Sequence, residues 1–209
     1  MAKLYFRYGT VGSAKTLNLL AVTHNYRQQG KEVFLIKPSL DDRFGKKKIK
    51  SRAGLEKVAD LLVKSDTVLA MKEFMGISCI LVDEVQFLSS FLIEQIRDIT
   101  LVMDVPAICY GLRTDFKSNL FEGSKRLMEL ADSLEEVKST CYFCNKKSIL
   151  NLKHVNGVAT VDGPTIQLGT EELYYPACYK CYMEAVKKGA KTMAAKEENK
   201  EKEKQEITC

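Results

Sequence analysis

The sequence of 209 residues contains no apolar run approaching the roughly 20 residues that a membrane-spanning helix needs. Its first residues, Met1–Arg7, form too short an apolar stretch, too soon interrupted by charge, for a signal peptide. Histidine is scarce, and His24 and His154 lie in no metal-ligand or catalytic-triad pattern. These absences argue against a membrane protein and against a secreted one, and we expect a cytoplasmic protein.

The composition and the net charge lie close to those of ordinary globular proteins. Hydrophobic residues make up 45% and charged residues 28%, which excludes wholesale disorder, collagen and coiled coil. The net charge of +5, from 32 basic and 27 acidic residues, is only weak evidence for nucleic-acid binding. The length fits one full domain with a small appendage.

Signals for strands and helices alternate along the first two thirds of the chain. Short β-branched apolar runs predict buried strands, and apolar residues at helical spacing predict helices. This alternation is typical of a mainly parallel sheet with helices on both faces, an α/β fold. The predicted strands are Lys3–Arg7, Glu32–Lys37, Ile77–Val82 and Pro106–Tyr110, and the predicted helices are Lys15–Gln29, Leu55–Lys64, Phe87–Met103 and Gly123–Leu134.

The alternation stops near Thr140, where turn residues and spaced cysteines begin. We therefore expect an α/β domain over residues 1–140 and a small second domain over residues 141–186. Residues 187–209 are rich in lysine and glutamate and poor in large apolar side chains. Such a segment cannot bury enough surface to offset the entropy of ordering it, so we expect a disordered tail.

A phosphate-binding motif follows the first predicted strand and opens the first predicted helix, the context that a P-loop requires. Backbone N–H groups would bind the phosphates, Lys15 would reach the β and γ oxygens, and the Thr16 hydroxyl would coordinate Mg²⁺. Ala14 stands where a glycine normally precedes the lysine, and a methyl group is tolerable there if φ is negative. The alternative is an ordinary βα turn with an incidental lysine. The predicted ATP-binding residues are Gly9, Thr10, Val11, Gly12, Ser13, Ala14, Lys15 and Thr16.

A second motif is the apolar strand that ends in Asp83 and Glu84, which resembles a Walker B segment. Asp83 would lie at the carboxyl end of a parallel strand beside the phosphate loop and hold Mg²⁺. Glu84 is then placed to accept a proton from an attacking hydroxyl or water. The alternative is a strand followed by an acidic helix N-terminus, and the upstream P-loop favours the functional interpretation.

Two Cys-x-x-Cys pairs form the third motif, with 33 residues between them. Four thiolates make a tetrahedral structural zinc site with no open position. The alternative, four reduced cysteines in a core, is disfavoured by two correctly spaced pairs. We expect Cys79 and Cys109 in the core and Cys209 as a tail thiol. The predicted zinc ligands are Cys141, Cys144, Cys178 and Cys181.

Together with further segments, these motifs resemble the zinc-containing thymidine kinases of many bacteria and of animal cytosol. The resemblance covers nearly everything from Leu4 to Tyr182. It is carried by the P-loop, Lys37–Arg43, Ser51–Gly54, Asp83–Phe87, Tyr110–Phe116, Cys141-x-x-Cys144, Gly169, Tyr174 and Cys178-x-x-Cys181.

The resemblance implies a P-loop, RecA-like fold with a C-terminal zinc-ribbon lasso that closes over thymidine. The expected activity is ATP-dependent phosphorylation of the 5′-hydroxyl of thymidine, and of deoxyuridine, in nucleoside salvage. Glu84 would be the general base, and Asp41 and Arg43 would lie near Mg²⁺ and the transferred phosphate. Gln86 would pair with the thymine edge, since an amide offers a donor and an acceptor. The remaining implied substrate-binding residues are Phe87, Leu112, Phe116, Phe121, Tyr174 and the wall residue Val11.

Family members are commonly homotetramers and commonly inhibited by thymidine triphosphate, and neither property can be read from this sequence. Besides Ala14, the departures from the family pattern are Asn151 for Thr, Lys153 for Arg and Thr170 for Gly. They concern the lasso contacts rather than the reaction. The competing interpretation is a RecA-like ATPase whose zinc ribbon acts on nucleic acid. That interpretation needs a continuous basic surface with exposed aromatic residues, which the sequence does not indicate, and we expect no nucleic-acid partner.

Overall fold

The computed structural model describes residues 1–165 and 174–192, in which strands and helices alternate before a smaller sheet. The strands are β1 (Leu4–Tyr8), β2 (Val33–Pro38), β3 (Lys48–Lys50), β4 (Glu56–Val58), β5 (Leu61–Val63), β6 (Cys79–Val82), β7 (Ala107–Gly111), β8 (Ser133–Glu136), β9 (Leu150–Val155), β10 (Val158–Thr160) and β11 (Tyr174–Ala177). The helices are α1 (Lys15–Gln28), α2 (Ser90–Val102), α3 (Glu122–Leu130) and α4, which begins at residue 179 and continues to residue 192. In the described ranges no helix is long and apolar enough to cross a bilayer.

The main sheet has the strand order β5-β2-β6-β7-β1-β8, and every neighbouring pair is parallel. All four residues of β6 are buried, as expected of a central strand covered on both faces. Leu19 of α1 packs with Leu81 on one face, and Ile96 of α2 and Leu127 of α3 belong to the core on the other. The predicted parallel sheet with helices on both faces is therefore confirmed.

Two predicted helices differ from the observed elements. The segment Leu55–Lys64 is not a helix, because it contains β4, which forms a hairpin with β3, and β5, which pairs with β2. The helix predicted to reach Leu134 ends at Leu130, because Ser133–Glu136 pairs with β1 as an edge strand. In both places pairing with a distant strand overrides the local pattern.

Helix α2 begins later than predicted. The Ser89 hydroxyl accepts a hydrogen bond from the Leu92 N–H and caps the helix, while Val85–Phe87 form a separate 3₁₀ turn. The residues just after β6 are therefore not part of a long helix, and their side chains point toward the site described below.

The small antiparallel sheet has the order β10-β9-β11 and packs beneath α4. Helix α4 approaches the sheet so closely at Gly189 that an added Cβ would lie 1.9 Å from the Ala159 carbonyl oxygen. Glycine is therefore required there. Residues 187–192, the start of the segment expected to be a disordered tail, continue α4, and residues 193–209 lie outside the described residues.

Candidate active site

The phosphate loop connects β1 to α1 and encloses the Lys15 side chain. Its ammonium group donates to the carbonyl oxygens of Gly9 (3.2 Å) and Thr10 (2.7 Å) and to Ser13 Oγ (3.2 Å). An added Cβ on Gly9 would lie 2.5 Å from both Ser13 Oγ and the Val137 carbonyl oxygen, so glycine is needed for this packing. Burial lowers the pKa of Lys15 to about 8 against the opposing effect of nearby carboxylates.

Ala14 adopts the left-handed conformation, with φ 64° and ψ 24°. The negative φ that would make a methyl group tolerable at this position is therefore not observed. The residue is the N-cap of α1, and its carbonyl oxygen accepts from the Asn18 N–H at 3.0 Å. The sharp entry into the helix imposes the left-handed backbone, and the methyl group costs about 1–2 kcal/mol there.

Asp83 and Glu84 follow β6 at its carboxyl end, beside the start of α1. The Thr16 hydroxyl lies 3.3 Å from each carboxylate oxygen of Asp83. Burial, followed by the charge of Glu84, raises the pKa of Asp83 to about 7. A hydroxyl and a carboxylate beside a phosphate loop form the oxygen donor set that suits Mg²⁺, which keeps its other positions for phosphate and water.

A chain of ionic contacts runs from the buried interior to Glu84. Lys37 Nζ lies 3.1 Å from Asp41, Arg43 Nε lies 2.6 Å from Asp41, and Arg43 Nη2 lies 2.5 Å from Glu84. Lys37 is 1% exposed and also donates to the Lys48 carbonyl oxygen at 2.8 Å. Although burial acts in the opposite direction on both groups, their partners raise the pKa of Arg43 and lower that of Asp41.

Glu84 is fixed by its backbone as well as by Arg43. Its φ of 50° lies in the left-handed region, which is uncommon for a residue with a long side chain. Gln86 Nε2 donates to the second Glu84 oxygen at 2.5 Å, and Gln86 Oε1 accepts from the Leu112 N–H at 3.0 Å. The carboxylate that sequence reasoning singled out as the base is thus held on both sides.

These groups line one cavity of about 310 Å³ that extends from the phosphate loop to β11. Phe87 and Phe121 meet edge to face at 6.0 Å, and Phe116 lies 6.2 Å from Tyr174, so the far end is aromatic. Gly9 and Thr10 lie behind this surface and line a second, smaller cavity. The predicted site residues that line the main cavity are Val11, Gly12, Ser13, Ala14, Lys15, Thr16, Asp41, Arg43, Asp83, Glu84, Gln86, Phe87, Leu112, Phe116, Phe121 and Tyr174.

The structure adds site residues that sequence reasoning did not assign. Lys37 anchors the ionic chain, Arg52 lines the cavity beside the phosphate loop, and Asn151 lines it from β9. The ammonium group of Lys153 lies 4.6 Å from the Phe116 ring centre. The only sequence signals were membership of family-like segments for Lys37 and Arg52, and departures from the family pattern for Asn151 and Lys153. Gly169 and Thr170 lie outside the described residues.

The two cysteine pairs meet at the base of the small sheet. The sulfurs of Cys141, Cys144, Cys178 and Cys181 all lie within 4.8 Å of one another, and those of Cys144 and Cys178 are 3.7 Å apart. Sulfurs at 2.3 Å around a tetrahedral zinc ion are about 3.8 Å apart, so this cluster fits zinc. Cys79 and Cys109 are fully buried in the main core, as expected, and Cys209 lies outside the described residues.

Comparisons with known proteins find similar chains of one family. A family model described as thymidine kinase matches residues 2–182. The thymidine kinase of Enterococcus faecalis is 42% identical over 188 residues, which are 87% of this chain and 95% of the relative. That of Lactiplantibacillus plantarum is 39% identical over 184 residues, 87% of this chain and 96% of the relative.

A solved structure, the Pif1 helicase from Candida albicans, aligns with 66% of this chain and 36% of its own. Its sequence identity is 12% and the TM-score is 0.41, values too low to support an argument about function.

Proposed function

The chain belongs to the thymidine kinase family, and on that premise we propose which residues bind its substrates and which act in phosphoryl transfer. The family makes it a kinase that phosphorylates thymidine, with ATP as the phosphate donor. The interpretation as a nucleic-acid ATPase is not favoured. The observation that carries the residue assignments is the convergence of Lys15, Asp83 and Glu84 on one cavity that has an aromatic far end.

The triphosphate of ATP occupies the phosphate-loop end of the cavity in this proposal. The loop residues that line the cavity, Val11–Thr16, contact its β and γ phosphates, with Gly9 and Thr10 supporting the loop from behind. Lys15 exchanges its bonds to loop carbonyls for bonds to phosphate oxygens. Thr16 and Asp83 would hold Mg²⁺, which supplies neutralising charge for the phosphates when bound. Arg43, held by Asp41, adds a second positive charge beside the transferred group.

Thymidine occupies the aromatic end in this proposal, with its 5′-hydroxyl toward Glu84. The 5′-oxygen forms a bond to the γ phosphorus as the bond from that phosphorus to the β–γ bridging oxygen breaks, and ADP leaves. The hydroxyl proton passes to the Glu84 carboxylate, which Arg43 and Gln86 hold in position. Gln86 retains one further hydrogen-bonding position on each amide atom, and these would meet the base edge. The aromatic walls exclude water, which would otherwise compete for the phosphate.

The proposed domain division places residues 1–140 under the phosphates and residues 141–186 over the nucleoside. A structural zinc ion at the four cysteines would hold the second part in place. From the family resemblance we also propose a homotetramer that acts in nucleoside salvage in the cytoplasm.

The test of the proposal is Glu84→Gln, with Glu94→Gln on the surface of α2 as the matched control. The amide cannot take the proton, so we expect kcat to fall by roughly 10²–10⁴-fold in single-turnover measurements of thymidine monophosphate formation. ATP affinity, measured by calorimetry, should not change. Turnover within a few-fold of the wild type would show that another group takes the proton.

A second variant distinguishes the roles of the two carboxylates, Asp83 and Glu84. Asp83→Asn should raise the Mg²⁺ concentration required for half-maximal rate, because it removes a charged ligand, whereas Glu84→Gln should leave that concentration unchanged. The same assay with a panel of nucleosides tests the acceptor. Failure to phosphorylate thymidine and deoxyuridine, with phosphorylation of another nucleoside, would overturn the substrate assignment.

A further inference from the structure

Asn151, in β9 of the small sheet, is hydrogen-bonded directly to the phosphate loop. Its Oδ1 accepts from the Val11 N–H at 2.8 Å, and its Nδ2 donates to the Thr114 carbonyl oxygen at 3.1 Å. The residue is 3% exposed. One buried amide thus joins three segments that are far apart in the sequence, and it uses a donor on one side and an acceptor on the other.

Ser148 makes a second contact between the small sheet and the same loop. Its hydroxyl lies 2.8 Å from the Thr10 hydroxyl and 3.0 Å from the Ser139 carbonyl oxygen. Because Ser148 has one hydroxyl hydrogen and gives it to the Ser139 carbonyl, the Thr10 hydroxyl is the donor in the pair. Both side chains are buried, so neither contact competes with bulk water.

The two contacts lie between the cysteine pairs that form the metal site. Ser148 follows Cys144 by four residues, and Asn151 pairs across the sheet with Pro176, two residues before Cys178. The Ile149 N–H also donates to the Ala177 carbonyl oxygen at 2.9 Å. The position of Asn151 is therefore set by the strand that leads directly into a metal ligand.

We propose that Asn151 and Ser148 are positioning residues that couple the metal site to ATP binding. The inference rests on the proposed function, in which ATP binds this loop. Asn151 fixes the orientation of the Thr10–Val11 peptide group, so the shape of the loop before ATP binds depends on where the small sheet lies. The sheet in turn is held by the four cysteines. ATP and zinc then strengthen the binding of each other, because coupling between two sites is reciprocal.

The experiment measures zinc affinity by competition with a chelator, with and without ATP at a concentration that saturates each variant. In the wild type we expect ATP to raise zinc affinity roughly tenfold, a coupling of the usual size between two sites. In Asn151→Ala, which loses both amide contacts, the increase should be less than twofold. Asn25→Ala, an exposed position on α1, is the matched control and should behave as the wild type.

Asn151→Asp sharpens the test, because aspartate can still accept from Val11 but places a negative charge against the Thr114 carbonyl oxygen. It should also lose most of the coupling. An unchanged zinc affinity on adding ATP to the wild type, or the same tenfold increase in Asn151→Ala, would overturn the coupling. Calorimetry of ATP binding to the wild type distinguishes failure of the coupling from failure of the proposed function, because absence of ATP binding would overturn the proposed function itself.

Discussion

The two sheets of this molecule line the same cavity but are stabilised in different ways. The main sheet lies between two apolar clusters and carries its site charges in a buried ionic chain. The small sheet has a core of a few apolar side chains and depends on four cysteines at one edge. An apolar core of that size does not stabilise a fold alone, so we expect the small sheet, unlike the main sheet, to need a metal ion held by the four cysteines.

Among the substitutions that test this difference, Cys141→Ser should have the largest effect. Structural zinc contributes about 10 kcal/mol or more in small zinc domains, so losing one thiolate should release the metal and unfold the small sheet. The main sheet should remain folded. Elemental analysis and limited proteolysis would show a metal-free chain cut within residues 141–181. Cys209→Ser is the control, and a variant with one zinc per chain and full protease resistance would contradict the comparison.

Lys37→Met tests the other region. The substitution keeps the length of the side chain but leaves the Asp41 carboxylate without its buried ammonium partner. Because Arg43 still pairs with Asp41, we expect the main sheet to lose about 2–3 kcal/mol in urea unfolding, with the zinc content unchanged. Lys57→Met, on the exposed strand β4, should change stability by less than about 0.5 kcal/mol. Equal effects of the two substitutions on the free energy of unfolding would show that the ionic chain does not stabilise the main sheet.

The ionic chain also predicts that the protein loses folding stability at low pH. The partners of Asp41 lower its pKa below the unfolded value of about 3.9. Its contribution to stability is therefore present above that value and is lost as the pH falls through the lowered folded pKa. Urea unfolding between pH 5 and pH 2, compared with Asp41→Asn, should show a smaller acid loss in the variant.

Gln86→Ala should have a moderate effect on binding. The substitution removes the amide that would meet the thymine edge and leaves the Leu112 N–H without its acceptor. We expect thymidine affinity to fall by about 1–3 kcal/mol in calorimetry, with ATP affinity retained. Gln28→Ala, exposed on α1, is the control. Unchanged thymidine affinity in Gln86→Ala would remove this residue from the site.

The smallest expected effect is a gain in folding stability. Ala14→Gly relieves a left-handed backbone, and after the greater flexibility of glycine in the unfolded chain is subtracted we expect about 0.5–1 kcal/mol of added stability. Ala21→Gly, within α1, should instead destabilise by about 1 kcal/mol. Urea unfolding of both variants measures the difference in sign, and destabilisation by Ala14→Gly would show that the methyl group makes a contact that outweighs the strain.

Much of the main sheet could be predicted because its signals are local. The P-loop and the strand ending in Asp83 each occupy one continuous segment, and the alternation of strand and helix signals along the chain indicates a parallel sheet. The prediction of a helix over Leu55–Lys64 was wrong because β5 forms only through pairing with β2, a contact that the local pattern does not contain.

The site itself could be predicted only in part. Glu84 was identified from its place after Asp83, but the contact of its carboxylate with Arg43 joins residues 41 positions apart. Asn151 was visible only as a departure from a family pattern, since its partners Val11 and Thr114 are brought to it by the fold. The left-handed backbone of Ala14 depends on how the loop enters α1, which composition does not indicate.

The two hydrogen bonds that hold Gln86 order its side chain before any ligand binds. A free glutamine side chain samples many rotamers, and ordering one costs up to about 2 kcal/mol. Here Glu84 and the Leu112 N–H already order the side chain within the folded protein. This entropy is lost when the chain folds and not when a ligand arrives. A nucleoside bound by Gln86 as proposed would therefore meet an ordered side chain and retain more of its binding energy as affinity.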